Sequence, residues 1–289
     1  MIGRRTVRRL AAAGHAVVGV TRSARGRAVL EGLGAEAVEA DVYDRSALAA
    51  AFAGADAVVN LLTHIPAAED MATPGAWDEN DRLRREASAA IAGAAQDVGV
   101  ARLIQESVAF VYADGGDAWL DEDAPLQPAA ATETSFVAEA NATEGFAGTT
   151  VVLRFGLFLG PDSHLTQSDL ARARDGVSPN IGPRSAYRPT VWLDDAAAAV
   201  VSALTAPAGI YNVADTDPPT RAEIDAALAA AVGVVGLRPP FDAVPPELEL
   251  MARSQRISSA RLREATGWTP TVRAGTDGWA LLAGERVTA

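Results

Sequence analysis

Cysteine and lysine are both absent from this 289-residue chain. The first absence excludes disulfides and thiolate metal sites. The second leaves all 25 basic residues as arginine and excludes chemistry that needs a side-chain amine. Arginine in place of lysine, with abundant alanine, reads in bulk as codon bias. Histidine is scarce: His15, His64 and His164 lie far apart and give no metal-ligand spacing. Long apolar runs are missing too. Stretches such as Ala196–Val201 fall far short of the roughly 20 residues that span a bilayer. No Arg-flanked apolar leader opens the chain, so the reading is cytoplasmic, with no membrane partner.

Hydrophobic residues make up 49% and charged residues 21%, the balance of an ordinary globular protein. The length suffices for a large α/β domain with a smaller lobe. The net charge of −12 repels phosphate backbones, so nucleic acid is not an expected partner. Helix and strand patterns alternate through the first half. Helices are predicted over 4–13, 24–33, 46–52, 77–98 and 133–146, and strands over 16–20, 35–42, 57–62, from 103, and over 149–155. Continuous apolar strands between helices predict a doubly wound parallel sheet covered on both faces. The expected division is a dinucleotide-binding domain over 1–155 and mainly a substrate lobe over 156–289, with segments returning to the sheet.

Five runs, in order, carry a family likeness. Asp121–Leu126 reads DEDAPL, Val151–Pro161 reads VVLRFGLFLGP, and Val191–Asp195 reads VWLDD before an alanine-rich helix. Gly209–Asp215 reads GIYNVAD, and Ser258–Pro270 closes with GWTP. Together they resemble the extended short-chain dehydrogenase/reductases, whose fold is of the Rossmann type. The overall pattern is also similar to angucyclinone ketoreductases of the simocyclinone type.

The resemblance implies a glycine-rich turn that lets backbone approach a pyrophosphate at a helix N-terminus. Here Met1-Ile2-Gly3 matches only its last third. The preceding strand would be central, and without it two neighbouring strands lose a ladder partner. The expectation is therefore that the coding start lies upstream by about ten residues, enough for a strand and turn. At the end of the second predicted strand, family position puts Arg22 and Arg25 where a ribose 2′-phosphate is held, with no acidic competitor beside them, which favours NADP(H). Asp41 and Val42 would flank the adenine, and Leu61, Leu62 and Thr63 the ribose and nicotinamide. Phe155, Gly156 and Leu157 would lie near the carboxamide, and His64, Phe110 and Phe158 near the substrate.

The family's proton donor is a Tyr-x-x-x-Lys pair on the helix after the DEDAPL loop. One alignment puts Thr132 and Phe136 at those positions, and a one-residue slide puts Ala131 and Ser135 there. Neither works, and the tyrosines Tyr43, Tyr112, Tyr187 and Tyr211 have no basic residue four places on. Ser107 lies one residue from the family's catalytic serine and is the remaining catalytic candidate; Tyr112 falls on a structural tyrosine, and Asn80 on an asparagine that supports a proton-relay water. Three functions stay open. One is an NADPH-dependent ketoreductase without Tyr–Lys, acting on a small molecule such as an aromatic polyketide, as a monomer or homodimer. The second is a non-catalytic NmrA-like NADP(H) sensor. The third is a sugar-nucleotide epimerase or dehydratase, kept alive by Arg184 and Arg188 but lacking a base where Tyr would stand.

Overall fold

A computed structural model describes residues 1–67, 70–71 and 73–284. Helix α1 (Ile2–Ala12) opens the chain and buries Ile2 and Thr6 on one face. Strand β1 (Val18–Thr21) leads to α2 (Ala24–Gly32), which starts where the Ser23 hydroxyl accepts the Gly26 N–H. After β2 (Glu36–Glu39), Asp44 caps α3 (Arg45–Phe52) by accepting the N–H groups of Ser46 and Ala47. Strand β3 (Ala57–Asn60) follows. The single long helix expected over 77–98 is three pieces: α4 (Asp78–Arg82), a π-helical turn (Leu83–Ala87) and α5 (Ser88–Asp97). Next come β4 (Arg102–Val108), the short β5 (Trp119–Leu120), α6 (Ala130–Glu144) and β6 (Thr149–Phe155).

The remaining elements are β7 (Leu157–Leu159), α7 (His164–Arg174), β8 (Thr190–Trp192), α8 (Leu193–Ser202), β9 (Gly209–Val213) and α9 (Arg221–Val232). Helix α9 begins with a reciprocal capping box between Thr220 and Glu223 and ends at Gly233, whose φ of 76° only glycine adopts freely. The chain closes with α10 (Glu249–Ala252), β10 (Arg256–Ile257), α11 (Ala260–Thr266) and α12 (Asp277–Gly284).

The architecture is α/β with parallel strand pairing. Strands order as β3-β4-β6-β9 in the main sheet, and β1 pairs in parallel with β2 alone. Register is fixed by pairs such as Val18↔Glu36 and Asn60↔Gln105. Among the described residues, no strand pairs with the second edge of β1 or of β3.

The chain forms two compact units, each assembled from three segments. The first comprises 1–107, 133–154 and 197–211, and the second 108–132, 155–196 and 212–289. Crossings at 107/108, 132/133, 196/197 and 211/212 thus add to the one expected near 155. In the first unit Leu48, Val58, Ile91, Leu103 and Phe146 pack into a core lined by alanines of α5. In the second, Leu159, Leu170, Trp192, Ile224, Leu228 and Trp279 form the core. Each such side chain contributes roughly 1.5–3 kcal/mol by leaving water. No helix among the described residues is long and apolar enough to cross a membrane.

Candidate active site

In the first unit, α1 starts at Ile2 with no side chain capping its first N–H groups. A Cβ built on Gly3 meets nothing within 4 Å. A helix start without a side-chain cap presents N–H groups that suit an anion. At the end of β1, Arg22 reaches Asp41 at 4.0 Å, and the two side chains are 60% and 54% exposed. A pair so open and long leaves the guanidinium available to a phosphate. Arg25 is also exposed, while Val42 is half-buried. Beside Asp41, the Tyr43 hydroxyl donates to Glu79 at 3.1 Å, under the Arg82 guanidinium. Burial and the bond to Glu79 raise the Tyr43 pKa, so it stays a neutral phenol.

At the end of β3, the Asn60 amide donates to Gln105 at 2.9 Å and its oxygen accepts the Leu62 N–H at 3.1 Å. This holds the chain as it leaves the strand, with Leu61 half-buried and Leu62, Thr63 and His64 exposed. The His64 N–H donates to Asn80 Oδ1 at 3.0 Å. Asn80 is fully buried, and its Nδ2 has no partner.

The helix that would carry Tyr–Lys shows what replaces them. The Thr132 hydroxyl is turned to the backbone of Ala129. Ser135 is buried with no partner for its Oγ. Phe136 lies half-buried under the Arg154 guanidinium, 5.9 Å from its ring centre. Neither alignment supplies a phenol or an ammonium group.

Ser107, at the end of β4, is completely buried, and its Oγ donates to Glu139 at 2.5 Å. A hydroxyl has one proton, so while this bond stands Ser107 has none for a substrate. Glu139 also accepts from Arg154 Nε at 2.9 Å and Nη2 at 2.7 Å. Glu106, the residue before Ser107, lies 3.8 Å from Arg84 Nη2, with both side chains buried. Burial raises the Glu106 pKa; Arg84 opposes the rise and Glu139 adds to it. Sequence reasoning missed Arg84, Glu106 and Glu139. For Glu106 the available signal was a charge within a predicted strand, the one from 103.

In the second unit, the Gly156 N–H donates to Val213 and the Leu157 N–H to Pro189. A Cβ on Gly156 would meet the Pro189 backbone at 3.1 Å, so glycine leaves these two closely approaching backbone segments uncrowded. The buried Phe155 ring lies 5.2 Å from that of Phe158. Phe110 is half-buried. Tyr112 is fully buried and its hydroxyl donates to Asn212 at 2.8 Å, which is a packing role.

A parallel α/β sheet of this kind defines a Rossmann-type nucleotide-binding fold. The chain belongs to the NAD dependent epimerase/dehydratase family, whose profile matches residues 1–214, and is an NAD(P)-dependent enzyme of the oxidoreductase type. It is similar to a 3-diazoavenalumate denitrifying reductase from a Streptomyces species, at 31% identity over 96% of this chain and 95% of the relative. Among solved structures, UDP-glucose 4-epimerase from Thermotoga maritima with UDP-glucose superposes with a TM-score of 0.80 at 18% identity, covering 100% of this chain and 96% of that one. UDP-glucose 4-epimerase from Thermus thermophilus with NAD gives 0.78 at 21% identity, covering 100% and 96%.

Proposed function

We propose that this chain is an NADPH-dependent reductase that delivers hydride to a ketone of a small, aromatic substrate without a Tyr–Lys pair. The observation that carries this is the occupancy of the pair's positions by Ala131 or Thr132 and Ser135 or Phe136, in a member of an oxidoreductase family. A sugar-nucleotide epimerase first oxidises a hydroxyl and needs a base at that place, which these residues do not offer. The relative named as a reductase points the same way.

The residues present fit a dinucleotide. Ile2 and Gly3 at the uncapped start of α1 would receive the pyrophosphate, and Arg22, with Arg25, the 2′-phosphate. By family position Asp41 and Val42 would hold the adenine, Leu61, Leu62 and Thr63 the ribose and nicotinamide, and Phe155, Gly156 and Leu157 the carboxamide. When bound, the cofactor supplies a hydride. His64, Phe110 and Phe158 are assigned to the substrate.

A second acceptor class is favoured by the relative's name, which specifies a diazo compound. A diazonium group leaves as N₂ with the bonding electron pair, so hydride arrival at that carbon completes the reaction with no proton at all. The diazonium acceptor needs no general acid, whereas the ketone still needs a proton for its oxygen. The test offers the purified chain NADPH with aromatic ketones and, separately, an aromatic diazonium salt. Cofactor oxidation and product mass are followed with deuterium at nicotinamide C4. Deuterium on the former carbonyl carbon is the expected result. Deuterium with N₂ release moves the assignment to the diazo class, and tight NADPH binding with no oxidation by either substrate overturns the reductase reading.

A further inference from the structure

Two carboxylates of the first unit are buried in contrasting surroundings. Glu139 on α6 is saturated by Ser107 and by two nitrogens of Arg154. Glu106 on β4 is 5% exposed, and no side chain among the described residues hydrogen-bonds its carboxylate. Its cation, Arg84 Nη2, stands 3.8 Å away, beyond hydrogen-bond reach. Arg84 is itself buried with Nε and Nη2 unpartnered, and it sits on the π-helical turn. Such turns are frequent at functional sites.

Two more buried groups lack partners on the same pair of helices. Asn80 Nδ2 is one turn before Arg84, and Ser135 Oγ is one turn before Glu139. Thr134 donates to Asp81 at 2.8 Å, and the Asn141 amide reaches the Arg85 carbonyl at 3.0 Å, so α6 is tied to the long helix along this seam. Each buried polar group left unpaired is costly. Polar sites of this kind are satisfied by bound water, which needs two to four polar partners.

We propose that Glu106, through water held by Asn80, Arg84 and Ser135, supplies the proton that the missing Tyr–Lys pair would give to the substrate oxygen. The inference rests on the carbonyl reading above. Glu106 is near the carboxyl end of β4, the end at which open α/β sheets present ligands. The step balances simply. The alkoxide oxygen left after reduction forms an O–H bond with a water proton, and that water takes the proton from the Glu106 carboxyl. The carboxylate left behind faces Arg84 until solvent returns a proton. The ionisable groups facing Glu106 are Arg84 from the long helix and Glu139 from α6, the latter neutralised by Arg154 of β6. Burial and Glu139 favour the protonated acid, while Arg84 keeps the anion accessible. Glu106 acts through water and is therefore a positioning residue for the proton.

Infrared spectroscopy of the full chain across a pH titration tests the site without cofactor or substrate. A protonated-carboxyl band at neutral pH, lost in Glu106→Gln, is expected; no such band overturns the proposal. In single-turnover ketone reduction with saturating NADPH, Glu106→Gln should slow the reaction by about 10²–10⁴-fold and abolish the solvent isotope effect, with NADPH affinity unchanged. Glu106→Asp should recover part of the rate. A wild-type rate in Glu106→Gln overturns the proposal. If that variant fails to fold because Arg84 has lost its counter-charge, Arg84→Met combined with Glu106→Gln buries no unpaired charge and takes its place. If the wild type shows the band but reduces no ketone, the carbonyl reading falls and the proton-delivery role falls with it. If it reduces ketones and Glu106→Gln keeps pace, this inference falls alone.

Discussion

Replacing Ser107 by alanine separates a substrate-side role from a structural one. The Ser107 hydroxyl donates to Glu139, which keeps two further bonds from Arg154 after the substitution. The loss is then one hydrogen bond to a charged acceptor, about 1.5–3 kcal/mol. The lower end applies, because the carboxylate stays paired and the hole left is small. Such a loss lowers the unfolding midpoint by roughly 3–5 °C in a chain of this size. Were Ser107 instead the donor to a ketone oxygen, the variant would keep its stability and lose about 10²–10³-fold in turnover. The assay is a pair of measurements on one preparation: a calorimetric melt, and single-turnover reduction well below the variant's midpoint. A modest melt shift with turnover within a few-fold of wild type is expected. An unchanged melt with a hundred-fold loss of turnover refutes the structural role.

Two further outcomes follow from the site and the second unit. Arg22→Ala should weaken NADPH binding by roughly 10-fold, the lower range for a hydrogen-bonded charge pair at an exposed position, and leave NADH binding unchanged. Titration calorimetry with both cofactors reads this, and equal losses for both would remove the 2′-phosphate assignment. Asp215 is buried with Oδ1 unpartnered, and burial raises its pKa to about 6 despite the Thr190 hydroxyl bond that favours the anion. Its folded pKa exceeds its unfolded one, so the stability it contributes is complete below the ordinary aspartate range and is lost as pH rises through about 6. Asp215→Asn should flatten the stability–pH curve in that window by about 2–3 kcal/mol, the equivalent of two pKa units. Parallel curves for the two proteins from acid to neutral pH would contradict it.

Periodicity made most of the first unit legible. The helices expected over 24–33 and 46–52 and the strands expected over 57–62 and 149–155 stand within one or two residues of those bounds, at 24–32, 45–52, 57–60 and 149–155. The π-helical turn was not legible, because five residues of wider helix leave the apolar pattern of the long helix almost unchanged. Ser107 was visible as a residue, but the bond its hydroxyl makes to Glu139 was not. Side chains alternate across a strand, so a one-residue offset from the family's serine aims the hydroxyl elsewhere, here at Glu139. Arg84 was hidden for another reason. Arg84 sits in the polar run Asp78–Glu86, which reads as a solvated helix face, and only packing shows that it is buried.

The absence of lysine then acquires a structural counterpart. Arginine cannot take over lysine's place beside a tyrosine simply by being basic. Its proton is effectively fixed, and its planar fork binds best to a carboxylate or phosphate. In this chain the buried arginines of the first unit face carboxylates: Arg154 closes a two-pronged pair on Glu139, while Arg84 stands off from Glu106 without closing one. The closed pair is locked, since burying either charge alone would cost several kcal/mol. The open one leaves hydrogen-bonding capacity unused on the Arg84 guanidinium. Of the two, only Glu106 combines burial, a nearby cation and unused hydrogen-bonding capacity, which are the conditions for holding and releasing a proton.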